Sequence, residues 1–566
     1  MSHTMRVAAA QFAVGVSVDQ NLATCLRMIE SAVADCQPAL LVLPEFCNHL
    51  SWYEGRNHCD SVAVEENGPF LSALCAAAQR HRIHLVVNCT LRRGPEVTTG
   101  TSFLIDPEGE IIAEADKQVL MGHENDFLQS AVDVAPIRDT PVGRLGLYAC
   151  MDGVINETPR SLALRGADIL CNSLNSFALD EGSLHVPVRA AENRSFVVAA
   201  NKIGPLIPEP ALEPVAAATG IPAEYLHGAG ESQIVAPDGK VLAKASRDQE
   251  EVIWADIEVQ QARTKLRPDG THIFESRRPE LYGAIGRTPV SRGEPPRSLP
   301  PAGVAVIQPE GVGDAAVAHV IAALAELSGE IKLVVLPELF DLPDALVGHL
   351  DEARRRGAAT VAALKSAARE GLWIATSIVE GDQHVGVLIT ARGIVHRQPQ
   401  LHRTARHAGW MVPGERAEVI DLPWARFALV VGDDALFPET FRLLAVRGVE
   451  VVAAPVHVLE TWEVATGLRE RSAENRMCLI AATRPSDAGT SRIYDLHEDF
   501  TLMTPWKSRP FDGTISDPLV TAAPDEAGTT VGTVTPAATH NKVVSRGTDL
   551  VDGRPWPLVD AITGGL

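Results

Sequence analysis

Three residues whose side chains could together perform acyl transfer stand at the ends of predicted strands: Glu45, Lys117 and Cys150. A thiol can attack a carbonyl or nitrile carbon. A poorly solvated carboxylate can take the thiol proton and later activate water, and an ammonium can stabilise the developing oxyanion. The three residue types therefore point to a cysteine-dependent reaction at a carbonyl or nitrile carbon.

Each of these residues taken alone also has a structural explanation. Free cysteine is among the most buried residue types, and a lysine at a strand end is commonly solvated. Glu45 is harder to explain by packing, because it closes the otherwise apolar segment Ala39-Leu-Leu-Val-Leu-Pro-Glu45-Phe46. A strand of this composition is buried on both faces, as in a sheet that lies between other layers.

The cysteine lies between a predicted strand and a predicted helix. The strand 145–149 is apolar, Asp152 and Gly153 end it, and Thr158-Pro159 suits the first turn of a helix. A thiol at this junction is close to backbone N–H groups and to the positive end of the helix. Both favour a thiolate and an oxyanion, so the segment is a good place for a nucleophile.

Strands and helices alternate along the rest of the first half. The periodicity predicts helices at about 19–35, 68–81, 158–165 and around 189–194, strands at 6–12, 39–46, 83–90, 169–172, 196–201 and 252–257, and strand pairs over 102–113 and 231–243. Helices that alternate with mostly apolar strands imply layers of helix and sheet, which is an α/β fold.

Length, charge and cysteine content exclude several classes of protein. A chain of 566 residues needs at least two domains, and a formal net charge of −22 argues against nucleic acid and anionic membrane surfaces as partners. No apolar run approaches the ~20 residues of a membrane span, and the first residues lack the features of a signal peptide. Nine cysteines without a Cys-x-x-Cys pair favour free thiols. We therefore expect a cytoplasmic protein with no metal or other cofactor.

The second half of the sequence repeats the first. Val304-Ala-Val-Ile-Gln308 matches Val7-Ala-Ala-Ala-Gln11, Leu-Pro-Glu338-Leu-Phe matches Leu-Pro-Glu45-Phe, and Arg471-Ser-Ala-Glu-Asn-Arg476 matches Arg189-Ala-Ala-Glu-Asn-Arg194. Cys150 precedes Arg189 by the same number of positions as Gly432 precedes Arg471. The chain is therefore interpreted as a fused duplication, with Gly432 in the place of Cys150 and Gln398 in the place of Lys117.

These motifs resemble those of the nitrilase (carbon–nitrogen hydrolase) superfamily, over nearly the whole chain and in both halves. The resemblance rests on Leu-Pro-Glu45-Phe, Asp-Lys117-Gln-Val-Leu, Cys150-x-Asp152-x-x-x-Asn-Glu157-x-x-Arg160, Arg189-Ala-x-Glu192-Asn193, Gly230-Glu-Ser232-Gln-Ile-Val and Arg277-Arg278-Pro279-Glu280. It implies a four-layer αββα sandwich that pairs face to face with a second sandwich. It also implies Cys150 as the nucleophile, Glu45 as the general base, Lys117 as the oxyanion stabiliser and the Met151 backbone N–H as a second oxyanion donor.

Three further glutamate and asparagine residues fit family positions. Many amidases of the superfamily carry another glutamate between the lysine and the cysteine, which orients the substrate or assists proton transfer. Glu124, in Gly-His-Glu124-Asn-Asp, stands in the corresponding place, and a solvated loop carboxylate is the alternative. Glu192 and Asn193 are expected to hold their helix against the sheet.

The second copy resembles the family but lacks its nucleophile. It keeps Glu338, but the glycine at position 432 cannot form a thioester. We therefore predict a catalytic domain over 1–283, a linker over 284–302 and a degenerate domain over 303–566. The family normally dimerises through the face that bears the cysteine helices, so the two copies are expected to pack as an intramolecular pseudo-dimer. Association into a further homo-oligomer stays open.

The residues around the cysteine favour the amidase and carbamoylase branches. Cys150-Met-Asp152 replaces the Cys-Trp-Glu that is usual in nitrilases, and Gly153 and Val154 replace the arginine with which carbamoylases hold a substrate carboxylate. The resemblance implies hydrolysis of an amide or N-carbamoyl group of a neutral or cationic small molecule. The alternatives are acyl transfer to an amine, nitrile hydrolysis and a non-catalytic scaffold. The Pro- and Ala-rich segment 204–227 either covers the pocket or lies on the surface.

Overall fold

The computed structural model describes residues 4–290, 299–343 and 350–564. Two sheets are built from the strands up to residue 258. The first has Lys202–Ile203, Thr4–Ala13, Leu40–Val42, His84–Gly94, Val97–Ile105 and Ile111–Asp116 side by side, with Glu251–Glu258 antiparallel to Thr4–Ala13. The second has the order Val241–Lys244, Gln233–Val235, Phe196–Ala200, Ile169–Ser173, Gly143–Ala149 and Ile137–Thr140.

Two more sheets are built from the strands that begin at residue 302. The third has the order Gly393–Pro399, Gln383–Thr390, Trp373–Glu380, Ile331–Val335, Ala302–Gln308 and Gly528–Val534. The fourth has the order Ile420–Leu422, Ala425–Leu429, Val451–Pro455, Cys478–Ala482, Arg492–Asp495 and Leu519–Ala522. A short hairpin, Val543–Ser545 with Thr548–Asp549, follows near the end of the chain.

The α-helices lie on the outer faces of these sheets and in the connections between strands. They span Val18–Cys36, Arg56–Val62, Pro69–His81, Met151–Val154, Glu157–Leu164, Val186–Asn193, Glu209–Thr219, Gln260–Arg263, Asp314–Glu326, Leu350–Ala367, Pro438–Val446, Leu468–Asn475 and Asp560–Thr563. Turns of 3₁₀-helix occur at Gly122–Asp126, Ala223–Leu226, Pro279–Ala284, Ala405–His407, Gly432–Leu436, Pro536–His540 and Trp556–Leu558. Turns of π-helix, which are wider than α-helical turns, occur at Glu181–His185 and Glu463–Gly467.

Alternate residues of the first strand show how the layers are stacked. Val7 and Ala9 pack in a core between the two sheets, whereas Ala8 and Ala10 pack against the helices on the opposite face. Because successive side chains of a strand point to opposite faces, a central strand must be apolar throughout. The second half repeats this arrangement, with Val304 between its sheets and Ala305 facing its helices. Each half is therefore an αββα sandwich, as the family resemblance implied.

The two sandwiches pack against each other through paired helices related by an approximate twofold axis. Arg160 Nε lies 2.8 Å from Glu439 Oε1, and Arg442 Nε lies 2.8 Å from Glu157 Oε1. These four residues occupy equivalent positions of the two copies, so the contact is isologous. All four are buried. The predicted intramolecular pseudo-dimer is confirmed.

Glu192 links its own helix to the second half. Its carboxylate contacts Arg189 of its own helix and Arg471 of the second half, while Arg189 Nη2 lies 2.7 Å from Glu474. The expectation that Glu192 holds its helix against the sheet is therefore wrong. The Asn193 side chain donates to the carbonyl oxygen of Arg189 and accepts from Arg160, so it ties its helix to a neighbouring helix rather than to the sheet.

Some predicted bounds differ from the structure or are untested by it. The apolar segment 39–46 is a strand only over Leu40–Val42, because Pro44 has no N–H to donate and Phe46 has a positive φ of 47°. The predicted linker 284–302 lies partly outside the described residues, which omit 291–298. The boundaries at 283 and 303 and the cytoplasmic location stay predictions. Within the described ranges, no helix is long and apolar enough to cross a membrane.

Candidate active site

Glu45 is placed by the tight turn that ends its strand. The N–H of Glu45 donates to the carbonyl oxygen of Leu174 on the second sheet, and the N–H of Phe46 donates to Asn88 Oδ1 at 2.9 Å. These bonds tie the turn that carries Glu45 to both sheets. The side chain is completely buried, which sets it apart from an ordinary surface carboxylate.

Lys117 joins two of the predicted site residues. Its Nζ lies 2.7 Å from Glu45 Oε1 and 2.9 Å from Glu124 Oε2. Glu124 is held in turn by the N–H of Met121, which donates to Oε2 at 2.9 Å. Glu124 is only 5% exposed, so the alternative of a solvated loop carboxylate is wrong. A lysine between two buried carboxylates is fixed in position and can hold its charge.

Cys150 stands at the junction of strand Gly143–Ala149 and helix Met151–Val154, with φ 48° and ψ −108°. Positive φ is unusual for a residue other than glycine and concentrates at functional sites. The N–H of Cys150 donates to the carbonyl oxygen of Ser173 at 3.0 Å. The next N–H, that of Met151, belongs to the first turn of the helix, whose amides lack partners within the helix. This arrangement is compatible with the predicted second oxyanion donor.

Asp152 links the cysteine turn to the lysine, a role that the sequence reasoning missed. Its Oδ1 accepts the N–H groups of Gln118 and Val119 at 3.0 Å and 2.8 Å, and Oδ2 accepts that of Ala149. The residues after Lys117 are thereby fixed to the strand that carries the cysteine. The signal in the sequence is the Cys-x-Asp spacing, which is interpreted as a strand end and as a family motif but not as a link to Lys117.

The protonation states follow from burial and from these charge pairs. Burial raises the pKa of Glu45 to about 7, although Lys117 lowers it. Burial and the charge of Glu45 raise the pKa of the Cys150 thiol well above its usual value. Burial alone would lower the pKa of Lys117, but Glu124 and Glu45 together raise it well above normal. Stabilisation of the thiolate by the helix end, as the sequence suggested, is therefore outweighed by burial, and the resting cysteine is a thiol that needs a base.

Lys202 is a further buried cation that was not predicted, because the expected strand ended at Asn201. Its Nζ lies 5.9 Å from the centre of the Phe46 ring, and Lys117 Nζ lies 5.5 Å from the same ring. Within the described part of the chain, Lys202 Nζ has no hydrogen-bond partner. Burial lowers the pKa of Lys202 to about 8, although the charge of Glu45 opposes this effect. Lys202 therefore helps to keep Glu45 ionised.

Two cavities share Cys150 as a lining residue. The larger, of about 1340 Å³ and open to solvent, is lined mainly by apolar side chains, with Glu124 and His123 among its polar residues. The smaller, of about 520 Å³, also reaches Met151 and Glu181. Segment 204–227 forms the helix Glu209–Thr219 and lines the larger cavity, so it covers the pocket rather than lying apart from it.

The second half supplies part of the walls of both cavities. Its lining residues are Leu502, Met503, Ile515, Ser516, Val544, Ser545 and Arg546. Thr548 Oγ1 anchors this region by donating to the carbonyl oxygen of Leu120 and accepting the N–H of Gly122. Asp180 Oδ2 anchors it again by accepting the N–H and hydroxyl of Ser516 at 2.6 Å and 2.8 Å. The pocket is therefore incomplete without the second half.

Gln400 occupies the place of Lys117 in the second half. The two N–H groups that follow it donate to Asp434, just as the two that follow Lys117 donate to Asp152. The assignment of this place to Gln398 is therefore wrong by two residues. Gln398 lies on strand Gly393–Pro399 and Gln400 directly follows it, so two glutamines stand two positions apart at the strand end and the sequence pattern could not separate them.

The space for a nucleophile is filled in the second half. A Cβ on Gly432 would lie 2.6 Å from Gln400 Oε1 and 2.9 Å from Glu338 Oε2. Arg406 Nη2 lies 2.8 Å from Glu338 Oε1. This ion pair engages the carboxylate that corresponds to Glu45. His407 contacts Gln400 where Glu124 contacts the lysine in the first half. A side chain at position 432 would therefore have to displace the ends of the Gln400 and Glu338 side chains.

One group in the described ranges has the spacing of a metal site. Ligand atoms of Glu338, His384 and His407 lie within 4.8 Å of one another. However, both ring nitrogens of His384 already make hydrogen bonds, one with Gln400 Oε1 and one with a serine hydroxyl. Glu338 is already in an ion pair with Arg406. A metal ion would have to displace these bonds and the guanidinium charge.

Comparison with known proteins gives the chain its family. The carbon–nitrogen hydrolase family profile matches residues 6–265 and 303–515. A Pyrococcus abyssi protein named nitrilase is 26% identical over 265 residues, which are 47% of this chain and 93% of the relative. The 2-oxoglutaramate amidase of Bacillus subtilis is 28% identical over 249 residues, covering 43% of this chain and 86% of the relative. A crystal structure of an amidase from Nesterenkonia sp. has 24% identity and a TM-score of 0.40, with 46% of this chain and 94% of that chain covered. Because the family profile covers most of the sequence, the chain belongs to the carbon–nitrogen hydrolase family, as an enzyme with two family segments in tandem.

Proposed function

We propose that the chain hydrolyses the carbon–nitrogen bond of a small-molecule amide or N-carbamoyl compound through a thioester on Cys150. The observation that supports this most directly is the contact of Lys117 Nζ with Glu45 and Glu124 beside a cavity that Cys150 lines. The names of relatives that are amidases agree with an amide as the substrate. The first half carries a thiol beside an open cavity, whereas Gly432 stands in the equivalent place of the second half.

In the first step, Glu45 takes the proton of the Cys150 thiol as the sulfur attacks the carbonyl carbon. The carbonyl oxygen becomes an oxyanion, and Lys117 Nζ and the N–H of Met151 stabilise it. When the tetrahedral intermediate collapses, the carbon–nitrogen bond breaks and Glu45 returns the proton to the departing nitrogen. Ammonia or an amine leaves, and the acyl group stays on the sulfur.

In the second step, water replaces the sulfur. Glu45 takes a proton from the water as its oxygen attacks the thioester carbon, and the same two donors stabilise the second oxyanion. The carbon–sulfur bond then breaks, the thiolate recovers the proton and the carboxylic acid or carbamate is released. Glu124 holds Lys117 in place during both steps, which keeps the ammonium beside the reacting oxygen.

The experiment is to incubate the purified chain with amides, N-carbamoyl amines and nitriles and to identify the products. We expect the wild type to release the acid and ammonia or an amine from at least one amide or N-carbamoyl compound. We expect Cys150→Ala to lose at least about a thousandfold in kcat. Cys75→Ala is the matched control, because Cys75 is a partly exposed thiol on helix Pro69–His81, away from the cavity. Full activity of Cys150→Ala would contradict the proposal.

The same incubation with an added amine separates hydrolysis from acyl transfer. Hydrolysis predicts that the free acid remains the main product as the amine concentration rises. A new amide as the main product would instead assign the chain to acyl transfer, with the same thioester and the same three side chains.

A further inference from the structure

Glu181 is a buried carboxylate in the wall of the smaller cavity that the proposed reaction does not use. It begins the wide helical turn Glu181–His185, which precedes helix Val186–Asn193. The side chain is only 3% exposed and lines the same cavity as Cys150. Its Oε1 has no hydrogen-bond partner among the described residues. A buried carboxylate without a partner costs folding free energy, so its presence beside a nucleophile requires an explanation.

The second half contains the equivalent carboxylate with its partner in place. Glu463 follows Gly432 by the same number of positions as Glu181 follows Cys150, and it also begins a wide helical turn, Glu463–Gly467. The guanidinium of Arg267, from the first half, lies 2.6 Å from Glu463 Oε1. A cation therefore neutralises this position in the half that lacks a nucleophile.

The approximate twofold symmetry shows what replaces that cation in the first half. Lys265 Nζ donates to the carbonyl oxygens of residues 193 and 194, and Lys542 Nζ donates to those of residues 475 and 476. The two lysines are therefore equivalent. Arg267 follows the first by two positions, and Val544 follows the second by two. Val544 lines the cavity beside Glu181, where it offers only methyl groups.

Neighbouring cations compensate for this loss only in part, because burial raises the pKa of Glu181 to about 7 although His185 and Arg189 lower it. His185 lies 2.9 Å from Glu470 and 3.8 Å from Asp180, so its charge is already shared by two carboxylates. Arg189 pairs with Glu470 and with two further glutamates. Carboxylates thus outnumber cations around the cavity, and the missing positive charge is the one that Arg267 supplies in the other half.

We propose that Glu181 binds a cationic group of the substrate, an ammonium or a guanidinium, in the position that the Arg267 guanidinium fills in the second half. The inference rests on the proposed function and gives it a substrate class, the small amides that carry a positive charge. The Val544 methyl groups leave room for that cation and pack against the methylene chain that joins it to the amide. Charge-assisted hydrogen bonds of this kind are roughly twice as strong as neutral ones.

The test compares ω-amino amides with alkyl amides in which a methyl group replaces the ammonium, over a series of chain lengths. For the best chain length, we expect kcat/KM of the wild type to be at least about tenfold higher for the amino member, which is about 1.4 kcal/mol. Glu181→Gln keeps the shape but removes the charge, so the ratio should fall about tenfold. Val544→Arg supplies the guanidinium within the chain and should reduce hydrolysis of the amino amides more than that of the alkyl amides.

Glu463→Gln is the matched control, because it changes the equivalent carboxylate outside the cavity and should leave the ratio as in the wild type. A wild-type ratio near one, or an unchanged ratio in Glu181→Gln, would overturn the inference while hydrolysis itself continues. Hydrolysis of neither series by the wild type would also overturn the inference, and the proposed function falls with it only if no other amide and no N-carbamoyl compound is hydrolysed.

Discussion

Replacement of Glu124 by glutamine should move the pH dependence of the reaction in a defined direction. Glu45 must be ionised to take the thiol proton, and its pKa is raised to about 7 by burial, with a further upward contribution from the charge of Glu124. Removing that charge favours ionised Glu45. The acid limb of kcat/KM should therefore move to lower pH, so that activity persists under conditions where the wild type is inactive.

The magnitude follows from the contacts of Lys117. Its Nζ lies 2.7 Å from Glu45 and 2.9 Å from Glu124. The two carboxylate oxygens are therefore at most about 6 Å apart, and at an effective dielectric constant of about 20 their repulsion is about 3 kcal/mol. At about 1.4 kcal/mol per pH unit, this corresponds to roughly two pH units. Solvent in the open cavity screens part of the repulsion, so we expect a displacement of roughly one to two pH units.

The assay is a pH profile of kcat/KM for Glu124→Gln and the wild type on one neutral amide. Asp126→Asn is the matched control, because Asp126 lies in the same turn but pairs with Arg546 at the surface. The control should keep the wild-type limb near pH 7. A limb of Glu124→Gln that stays near pH 7, or that moves to higher pH, would refute the assignment of Glu45 as the base coupled to Glu124.

Three further predictions concern other parts of the structure. Gly432→Cys should lower stability by about 1–3 kcal/mol, because its Cβ meets Gln400 Oε1 at 2.6 Å, and it should not restore turnover to a variant that lacks Cys150; chemical denaturation and product assays measure both. Asp152→Asn should lower kcat and cost about 1–3 kcal/mol, because the amide oxygen can keep the N–H groups of Gln118 and Val119 but the amide nitrogen cannot accept that of Ala149; retention of both wild-type values would contradict its positioning role. Burial alone would raise the pKa of Glu439, but Arg160 and Arg277 lower it to about 2. The ionised carboxylate should therefore contribute roughly 3 kcal/mol to the free energy of unfolding above pH 4.5, and this contribution should be lost as the pH falls towards 2. Glu439→Gln should remove this pH dependence of the free energy of unfolding. If that free energy depended on pH in the variant as it does in the wild type, the assignment to Glu439 would be contradicted.

Local patterns in the sequence predicted the layers of helix and sheet and the strand-end positions of Glu45, Lys117 and Cys150, whereas the four-layer sandwich and the assigned roles of these residues came from the family resemblance. The segment before Glu45 is apolar on both faces because sheets and helices cover both sides of it, and this signal is visible in the residues alone. The strand–turn–helix at Cys150 can likewise be recognised from the residues alone. Repetition of these motifs predicted the second sandwich and its missing nucleophile, because each motif recurs in order at a readable spacing.

Features that depend on contacts between the halves could not be predicted in this way. Leu502 and Val544 line the pocket although they lie hundreds of positions from Cys150 in the sequence, and no local periodicity encodes such a contact. Glu181 looks like an ordinary helix residue until the symmetry relates it to Glu463 and its partner Arg267. The missed correspondence of Lys117 with Gln400 has a local cause, since two glutamines stand two positions apart at the strand end.

The central claim is that a single thioester forms, on Cys150 of the first half. The most direct measurement is the intact mass of the chain, quenched in acid during turnover of its best amide, followed by peptide mapping. We predict one acyl group per chain, located on the peptide that contains Cys150 and absent from Cys150→Ala. An acyl group on any other residue, or turnover by Cys150→Ala at the wild-type rate, would contradict the account.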